Sequence, residues 1–240
     1  MSLNHNEIEV INAELEPMPA EERIAWAWDR LGTGLILSTS FGLQSSVMLD
    51  LVLKVSNEIP VVFVDTGYLF PETYQYALTL QERIGFRVKT YSAKMSPSFQ
   101  EVTFGKLWEQ VADEMKRYNF LNKKEPMQRA LAELGATGWL SGLRRAHSCD
   151  RGKRPFIEKQ DDIIKIYPIL DWDDRATYQY LPANNLPYHP LEGMGYNSLG
   201  DHHSTEKVDP SKSAEDSRHG GHGRECGLHL DLPEGLDFSV

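Results

Sequence analysis

Short apolar segments alternate with helical patterns along this chain, and this alternation restricts its fold more than any other feature of the sequence. Strand patterns lie at 35–40, 61–64, 87–91, 138–142 and 163–169. Strands that alternate with helices form a mostly parallel sheet with helices on both of its faces. The sequence therefore predicts an α/β fold built on one such sheet.

Helical patterns occupy the intervals between the predicted strands. Apolar residues recur at helical spacing before Gly32, and Pro71 is typical of a first helical turn. The expected helices cover residues 19–31, 43–56, 71–84, most of 97–134, and 173–183. A chain of 240 residues, of which 40% are hydrophobic, can bury one sizeable core of this kind.

The composition changes after Leu199, where the apolar patterns end. Residues 201–223 are rich in Ser, His, Gly and Asp and contain few apolar side chains. Such a segment buries too little apolar surface to offset the entropy of ordering it. We therefore expect a single α/β domain over residues 1–200 and a mobile C-terminal tail over residues 201–240.

The chain is acidic overall but basic in one loop. Its net charge of −10 argues against nonspecific binding of nucleic acid. No apolar run reaches the roughly 18 residues that a membrane-spanning helix needs, and residues 1–16 lack the apolar centre of a signal peptide. We therefore expect a cytoplasmic protein that binds neither nucleic acid nor membrane. The basic loop, residues 139–154, carries five basic side chains and one acidic side chain.

Polar turns follow three predicted strands, and sheets of this type bind ligands at the carboxyl ends of their strands. The segment Ser38–Ser46 combines hydroxyl groups, a glycine and a helix N-terminus, which together favour an anion. The turn Asp65-Thr66-Gly67 can accept hydrogen bonds from a ribose and allows a base to approach the backbone closely. An ordinary strand–helix turn and a helix N-cap explain these two segments almost equally well.

The adjacent residues Arg144 and Arg145 follow the third of these strands and favour a phosphate or sulfate ligand. A guanidinium group binds such anions through two parallel hydrogen bonds. Arg151 and the more distant Lys106 and Lys123 are candidates for additional positive charge. The alternative interpretation is a solvated basic loop, with both lysines on the surface.

The chain contains two cysteines, Cys149 and Cys226, which are too few for a four-thiolate zinc or iron–sulfur site. Cys226 lies in the polar tail, where it cannot serve as a small apolar residue of a core. Arg224 and His229 lie near it in the sequence and favour the nucleophilic thiolate form. A mobile tail can carry a thiol to a substrate and then to a second protein; the alternative is an incidental exposed cysteine. Cys149 is explained as a tolerated small loop residue. The histidines after Asp201 are explained by the polar composition of the tail, so no metal site is predicted.

Several segments of the chain resemble the assimilatory phosphoadenylyl-sulfate (PAPS) reductases. They include LSTSFGLQ at 37–44, VDTGYLFPET at 64–73, SGLRR at 141–145 and ECGLH at 225–229. The resemblance implies an adenine nucleotide α-hydrolase-like fold, which is Rossmann-like, and a set of residues in contact with the nucleotide or its anionic groups. The implied set is Ser38, Ser40, Phe41, Gly42, Gln44, Asp65, Thr66, Gly67, Lys106, Lys123, Gly142, Arg144, Arg145, Arg151, Arg218 and His229.

The resemblance also implies the chemistry. In this family the cysteine that matches Cys226 attacks the sulfur of PAPS, expels adenosine 3′,5′-bisphosphate and becomes an S-sulfocysteine. Reduced thioredoxin, or glutaredoxin in its place, then releases sulfite. The family further implies a homodimer that contains no bound cofactor.

Related adenylyl-sulfate reductases hold a four-iron cluster on two pairs of cysteines. The corresponding positions here are Tyr118 and Asn119, and Asp201 and Ser204, and none is a cysteine. The resemblance therefore favours the cluster-free branch that uses PAPS. One departure from the family pattern is Glu206, which stands where relatives tend to have an arginine.

Other interpretations remain open at this point. An adenylyl-sulfate reductase and an ATP pyrophosphatase-type adenylating enzyme would share the fold. The pyrophosphatase loop Ser-Gly-Gly-x-Asp-Ser lacks its aspartate here, because Gln44 stands at that position. Such adenylating enzymes also have no need of Cys226. The third interpretation is a non-catalytic nucleotide-binding regulatory subunit, which predicts ligand binding that survives Cys226→Ser and no activity to lose.

Overall fold

A six-stranded sheet forms the centre of the part of the chain that the structure describes. The structure is a computed structural model, and it describes residues 4–110, 112–147 and 154–208. The strands are β1 (Leu35–Thr39), β2 (Val61–Asp65), β3 (Val88–Ser92), β4 (Gly138–Leu140), β5 (Ile157–Gln160) and β6 (Ile163–Ile166). Their order is β3-β2-β1-β4-β6-β5, and every neighbouring pair is parallel except β6 and β5. The predicted α/β fold with a mostly parallel sheet is confirmed.

The helices of the described ranges pack on both faces of this sheet. They are α1 (His5–Leu15), α2 (Ala20–Leu31), α3 (Ser45–Val55), α4 (Pro71–Ile84), α5 (Pro97–Phe104), α6 (Ala112–Asn119), α7 (Glu125–Glu133) and α8 (Asp174–Ala183). A π-helical turn, Phe120–Lys124, joins α6 to α7. Within these same ranges, no helix is both long enough and apolar enough to cross a membrane.

The central strand β1 supplies apolar side chains to both faces of the sheet. Leu35 and Leu37 belong to the larger core, which includes residues of α2, α3 and α4, whereas Ile36 belongs to a smaller core with Met127 of α7. All three strand side chains are fully buried. Successive side chains of a strand point to opposite faces, so an apolar run without alternation is what a strand covered on both faces requires.

The structure differs from the sequence expectation mainly between residues 97 and 134. The expected helical stretch is interrupted after α5, where Gly105 adopts a φ of +73°. Two elements were not predicted: α1, and the edge strand β5, whose sequence Ile157-Glu-Lys-Gln has little apolar content. Strand β5 exists because the tight turn at Asp161, with a φ of +53°, returns the chain as an antiparallel partner to β6.

The predicted boundary between domain and tail falls too early. Asp201 is 1% exposed and forms a β-bridge with Leu69, in the loop after β2. The Val208 amide donates to the Gly195 carbonyl at 2.7 Å. Residues 201–208 therefore belong to the folded body, because tertiary contacts order a segment whose own composition is polar. The remainder of the predicted tail lies outside the described residues.

A buried histidine ties α4 to the loop that follows α8. His189 is 1% exposed; its Nδ1 accepts from the Leu191 amide at 3.1 Å, and its Nε2 lies 3.3 Å from Thr73 Oγ1. The ring packs edge-on against Tyr76, with 4.8 Å between centroids. Burial lowers the pKa of His189 from 6.5 to about 4, and the carboxylate of Glu72 opposes this shift only in part.

We expect the stability of the protein to fall between pH 6.5 and pH 4 for this reason. The unfolded chain takes up a proton on His189 in that window while the folded chain does not, so the free energy of unfolding decreases by about 3 kcal/mol as the pH falls. Denaturant titrations at a series of pH values measure this slope. In His189→Asn, whose amide oxygen can still accept from Leu191, the slope should be smaller; an unchanged slope would contradict the assignment.

Candidate functional site

A cavity of about 300 Å³ opens at the carboxyl edge of the sheet. Its walls are the turn after β1, the end of β2, the loop after β4 and residues 197–201. Because β1, β2 and β4 are parallel neighbours, these connections leave the sheet at the same edge and meet there. Eight of the predicted site residues line this cavity: Ser38, Ser40, Gly42, Gln44, Thr66, Lys123, Gly142 and Arg144.

The turn after β1 is held by Phe41, which does not line the cavity. Phe41 has a φ of +49°, and its fully buried ring packs edge-on against Phe63 with 4.9 Å between centroids. Its amide donates to Thr39 Oγ1 at 3.1 Å. Anchoring this one ring in the core exposes Ser40 and Gly42 to the cavity. Ser40 and Gly42 of the predicted turn thus line the cavity, and Phe41 supports the turn from the core side.

The N-terminus of α3 faces the same space. Gln44 and Ser45, at the start of this helix, both line the cavity. The first N–H groups of a helix and its dipole give this end a partial positive charge. The cavity therefore has an anion-favouring wall that does not depend on any charged side chain.

Arg144 brings a full positive charge to the cavity. Its guanidinium is 2% exposed and donates to Thr177 Oγ1 at 3.1 Å, to Asp174 Oδ1 at 2.9 Å and to the amide oxygen of Gln44. Burial lowers the pKa of Arg144, although a guanidinium remains charged in proteins. Asp174 is 69% exposed, so solvent screens its attraction for Arg144. The arginine is thus oriented by these neighbours at the cavity wall.

Arg145 occupies a different environment from its neighbour. Its Nη2 and Nε donate to the Arg154 carbonyl at 2.8 and 3.2 Å, and its guanidinium lies 5.0 Å from the ring centroid of Phe156. It does not line the cavity, because the chain turns at Arg145 into a short 3₁₀ segment and directs the two side chains apart. The structure therefore brings only one member of the predicted arginine pair to the site.

Lys123 enters the cavity from the π-helical turn and meets a buried carboxylate. Its Nζ lies 2.9 Å from Asp201 Oδ2, and Asp201 Oδ1 accepts from the Thr66 hydroxyl. Burial by itself would raise the pKa of Asp201, but Lys123 and the Thr66 hydroxyl together hold it well below the usual range. The carboxylate is therefore ionised, and this buried ion pair forms part of the cavity wall.

Three other predicted residues lie away from the cavity. Asp65 accepts from the Gly67 amide at 2.8 Å and from the Tyr74 hydroxyl at 2.7 Å, which shapes the turn after β2. Gly67 has a φ of +75° and packs against Pro97. Lys106 is on the surface and pairs with Glu109 at 3.2 Å. In this structure Asp65 and Gly67 therefore shape the turn after β2, and Lys106 forms a surface ion pair.

Four further predicted residues lie outside the described residues: Arg151, Arg218, Cys226 and His229. Cys149 lies outside them as well. Their proposed roles therefore rest on the sequence and on the family alone.

One wall of the cavity, residues 197–201, was not predicted: Asp201 was assigned to the tail, and residues 197–200 were given no role in the site. A signal for this wall was present in Leu199, an apolar residue within a polar stretch. Leu199 packs with Leu43, which follows the turn after β1, and with Leu191. Thr177 of α8, which also lines the cavity, gave no comparable signal.

Comparison with known families identifies the chain. The family model that matches residues 34–207 describes the phosphoadenosine phosphosulfate reductase domain. Two curated bacterial relatives are named phosphoadenosine 5′-phosphosulfate reductase. The one from Pectobacterium carotovorum is 49% identical over 92% of this chain and 90% of its own length. The one from Salmonella choleraesuis is 49% identical over 91% of this chain and 90% of its own length. This chain belongs to the phosphoadenosine phosphosulfate reductase family.

Solved structures agree with this assignment. A PAPS reductase from Candida auris, solved as a phosphate complex, has a TM-score of 0.74 and 32% identity, and the match covers 87% of this chain and 99% of that one. An FMN adenylyltransferase from Candida glabrata, in complex with FAD and pyrophosphate, has a TM-score of 0.57 at 15% identity, over 96% of this chain and 79% of that one. The second likeness shows the shared fold alone. The cavity at the carboxyl edge is thus built on a reductase-family fold.

Tyr118 and Asp201, two of the four positions that the sequence comparison with cluster-binding relatives singled out, lie near each other in the structure. Tyr118 approaches Asp201, whose carboxylate adds to the effect of burial in raising the pKa of the phenol. The Tyr118 hydroxyl lies 3.1 Å from His203 Nε2, and the imidazole of His203 stacks on Trp108 with 3.9 Å between centroids. Aromatic and oxygen-bearing side chains therefore fill this region, which adjoins the cavity through Asp201.

We expect Gly67→Ala to destabilise the protein more than Gly85→Ala. Both glycines have positive φ values, +75° and +81°, which cost an L-residue about 1–2 kcal/mol. A Cβ at Gly67 would also lie 2.5 Å from Pro97 Cγ, whereas a Cβ at Gly85 would meet nothing within 4 Å. Urea denaturation at neutral pH measures the two losses in unfolding free energy, and equal losses would mean that the contact with Pro97 is unimportant.

Proposed function

We propose that this chain reduces PAPS to sulfite and adenosine 3′,5′-bisphosphate, with reduced thioredoxin as the electron donor, in assimilatory sulfate reduction. The observation that carries the proposal is the cavity of a reductase-family fold in which Arg144, Lys123 and the N-terminus of α3 converge. Relatives 49% identical over most of the chain are named for this activity. Glutaredoxin is a second candidate donor of the same thiol chemistry.

In the proposed reaction the thiolate of Cys226 attacks the sulfur of PAPS. The S–O bond to the 5′-phosphate breaks, the phosphate oxygen keeps the electron pair, and Cys226 becomes an S-sulfocysteine. A thioredoxin thiolate then attacks the Cys226 sulfur and displaces sulfite, which leaves a mixed disulfide. The second thioredoxin thiol releases Cys226 and closes the thioredoxin disulfide, so the dithiol supplies both electrons. Covalent catalysis thereby replaces one difficult step by two displacements.

The described cavity supplies the electrostatics that this reaction needs. Negative charge grows on the leaving phosphate as the S–O bond breaks, and cations already in position stabilise it without reorganisation. Arg144 is held in place by Thr177 and Gln44, and the carboxylate of Asp174, which it also contacts, is largely exposed. An anion that replaces Asp174 leaves that carboxylate in water, where it is well solvated. Arg144 is therefore the strongest candidate for the phosphate or sulfate contact.

The remaining assignments are proposals from the sequence and the family. We propose that Arg151, Arg218 and His229 contact the substrate and that a tail beginning after Val208 carries Cys226. We also propose a cytoplasmic homodimer without a bound cofactor, since none of the four positions that hold cluster cysteines in related enzymes is a cysteine here. The lining of the cavity supports Arg144 and Lys123 as anion contacts and gives no support to Lys106 or Arg145.

The direct test measures sulfite released from PAPS and, separately, from adenylyl sulfate, each with reduced thioredoxin. The proposal predicts sulfite from PAPS and far less from adenylyl sulfate. Equal release would point to a broader sulfonucleotide reductase, release from adenylyl sulfate alone would point to the related enzyme class, and no release from either would refute the reductase assignment.

Cys226→Ser should abolish sulfite formation and leave binding of PAPS intact, because a hydroxyl cannot replace the thiolate as nucleophile. Wild-type enzyme mixed with PAPS in the absence of reductant should gain about 80 Da at Cys226, as a covalent sulfo intermediate requires. Steady-state kinetics, equilibrium binding and intact-mass spectrometry provide the three measurements. Normal turnover by the serine variant would exclude the proposed mechanism.

Arg144→Met should weaken binding of adenosine 3′,5′-bisphosphate or PAPS by about 1–3 kcal/mol, the range for a hydrogen bond to a charged group. Isothermal titration calorimetry measures the change. Arg30→Met is the matched control, because Arg30 lies on α2, stacks on Trp26 and does not line the cavity. Wild-type affinity in Arg144→Met, or an equal loss in the control, would show that Arg144 is not the anion contact.

A further inference from the structure

Asp201 is the most deeply buried carboxylate of the cavity, and the surrounding backbone holds it in place. The residue is 1% exposed, and its β-bridge to Leu69 joins it to the loop after β2. The amide of the next residue, His202, donates to the Tyr68 carbonyl at 2.7 Å. The backbone position of Asp201 is therefore fixed, and its side chain reaches Thr66 and Lys123 in other walls of the cavity.

Both oxygens of this carboxylate are used, and both partners line the cavity. Oδ1 accepts from the Thr66 hydroxyl, and Oδ2 lies 2.9 Å from Lys123 Nζ. The lysine side chain is 8% exposed. A buried charge without a partner is strongly unfavourable, so each member of this pair offsets the cost of burying the other.

The backbone of Lys123 is held independently of its ammonium group. Lys123 lies in the π-helical turn Phe120–Lys124, and turns of this type occur frequently at functional sites. The neighbouring Asn122 exchanges two hydrogen bonds with Gln100 of α5, at 2.8 and 2.9 Å. This pair of amide side chains fixes the backbone position of Lys123, and Asp201 fixes the position of its ammonium group.

We propose that Asp201 is a positioning residue for the reductase: it holds the Lys123 ammonium at the cavity wall so that the lysine binds the anionic group of the substrate. An ammonium has three N–H donors. The ammonium lies 2.9 Å from Asp201 Oδ2 as an ion pair, and its N–H donors can also reach a ligand in the cavity that Lys123 lines. Without the carboxylate, the ammonium of a lysine buried to this degree would turn toward water, because an unpaired buried charge is strongly unfavourable.

This inference rests on the proposed function, because it takes Lys123 as a contact of the PAPS anion. It adds a residue that the sequence argument had placed in a mobile tail and that acts only through Lys123. It also makes a quantitative prediction that a purely structural role does not make. If Asp201 acts through Lys123, its removal has no further effect on substrate affinity once Lys123 is gone.

The test is a double-mutant cycle on the full-length enzyme with PAPS and thioredoxin. Asp201→Asn and Lys123→Met should each raise the KM for PAPS about 10- to 100-fold, the range for a hydrogen bond to a charged group. The variant with both changes should show no larger rise than Lys123→Met alone. The KM for thioredoxin should stay at the wild-type value in all three. Asp113→Asn, which breaks the exposed Lys116–Asp113 pair on α6, is the matched control and should leave both KM values unchanged.

Thr66→Val provides a second, milder probe in case Asp201→Asn does not fold. It removes one hydrogen bond to the carboxylate and leaves the ion pair, so the KM for PAPS should rise about 2- to 10-fold, and this rise should vanish in the Lys123→Met background. A wild-type KM for PAPS in Asp201→Asn, or effects that multiply in either double variant, would overturn the positioning role. Absence of sulfite from the wild-type enzyme would instead overturn the proposed function, so the two failures are distinguishable.

Discussion

The burial of β1 between two parallel neighbours is the constraint on which the site depends. Leu35, Ile36 and Leu37 are fully buried, and the strand pairs with β2 on one side and β4 on the other. Parallel pairing sends the chain out of all three strands at one edge. The turn after β1, Thr66 and Arg144 therefore meet at a single cavity, although they are distant in sequence.

The two cations of the cavity are held by carboxylates of opposite character. Arg144 pairs with Asp174, which is 69% exposed, whereas Lys123 pairs with Asp201, which is 1% exposed. Solvent can take over an exposed carboxylate when a ligand arrives, but it cannot reach a buried one. The arginine thus has an exchangeable partner and the lysine a permanent one. This difference explains why Asp174 is compatible with anion binding at Arg144, and why Asp201 fits a positioning role.

Much of the fold and about half of the candidate site could be predicted from the sequence. The strand patterns, the polar turns at their ends and the residue set implied by the resemblance, which includes Lys123, all led to residues that line the cavity. Phe41 and Gly67 lie in the predicted turns but do not line the cavity. Each of them sits at a positive φ and packs against a neighbour, Phe63 or Pro97, that is remote in sequence. The local sequence pattern indicates that a turn is present, but it does not indicate which side chains of the turn point into the core and which line the cavity.

The sequence by itself determined the α/β class, the location of the site at the carboxyl edge of the sheet, and the kinds of side chain that can bind an anionic ligand. Only the tertiary structure decided that Arg144 enters the cavity while Arg145 binds the Arg154 carbonyl, and that Asp201 meets Lys123. The spacing of apolar residues along a helix or a strand follows from local backbone geometry, so a short stretch of sequence is enough to show it. The direction of a side chain in a loop, and an ion pair between residues far apart in the chain, depend on how separate elements pack, and no local stretch of sequence contains that information.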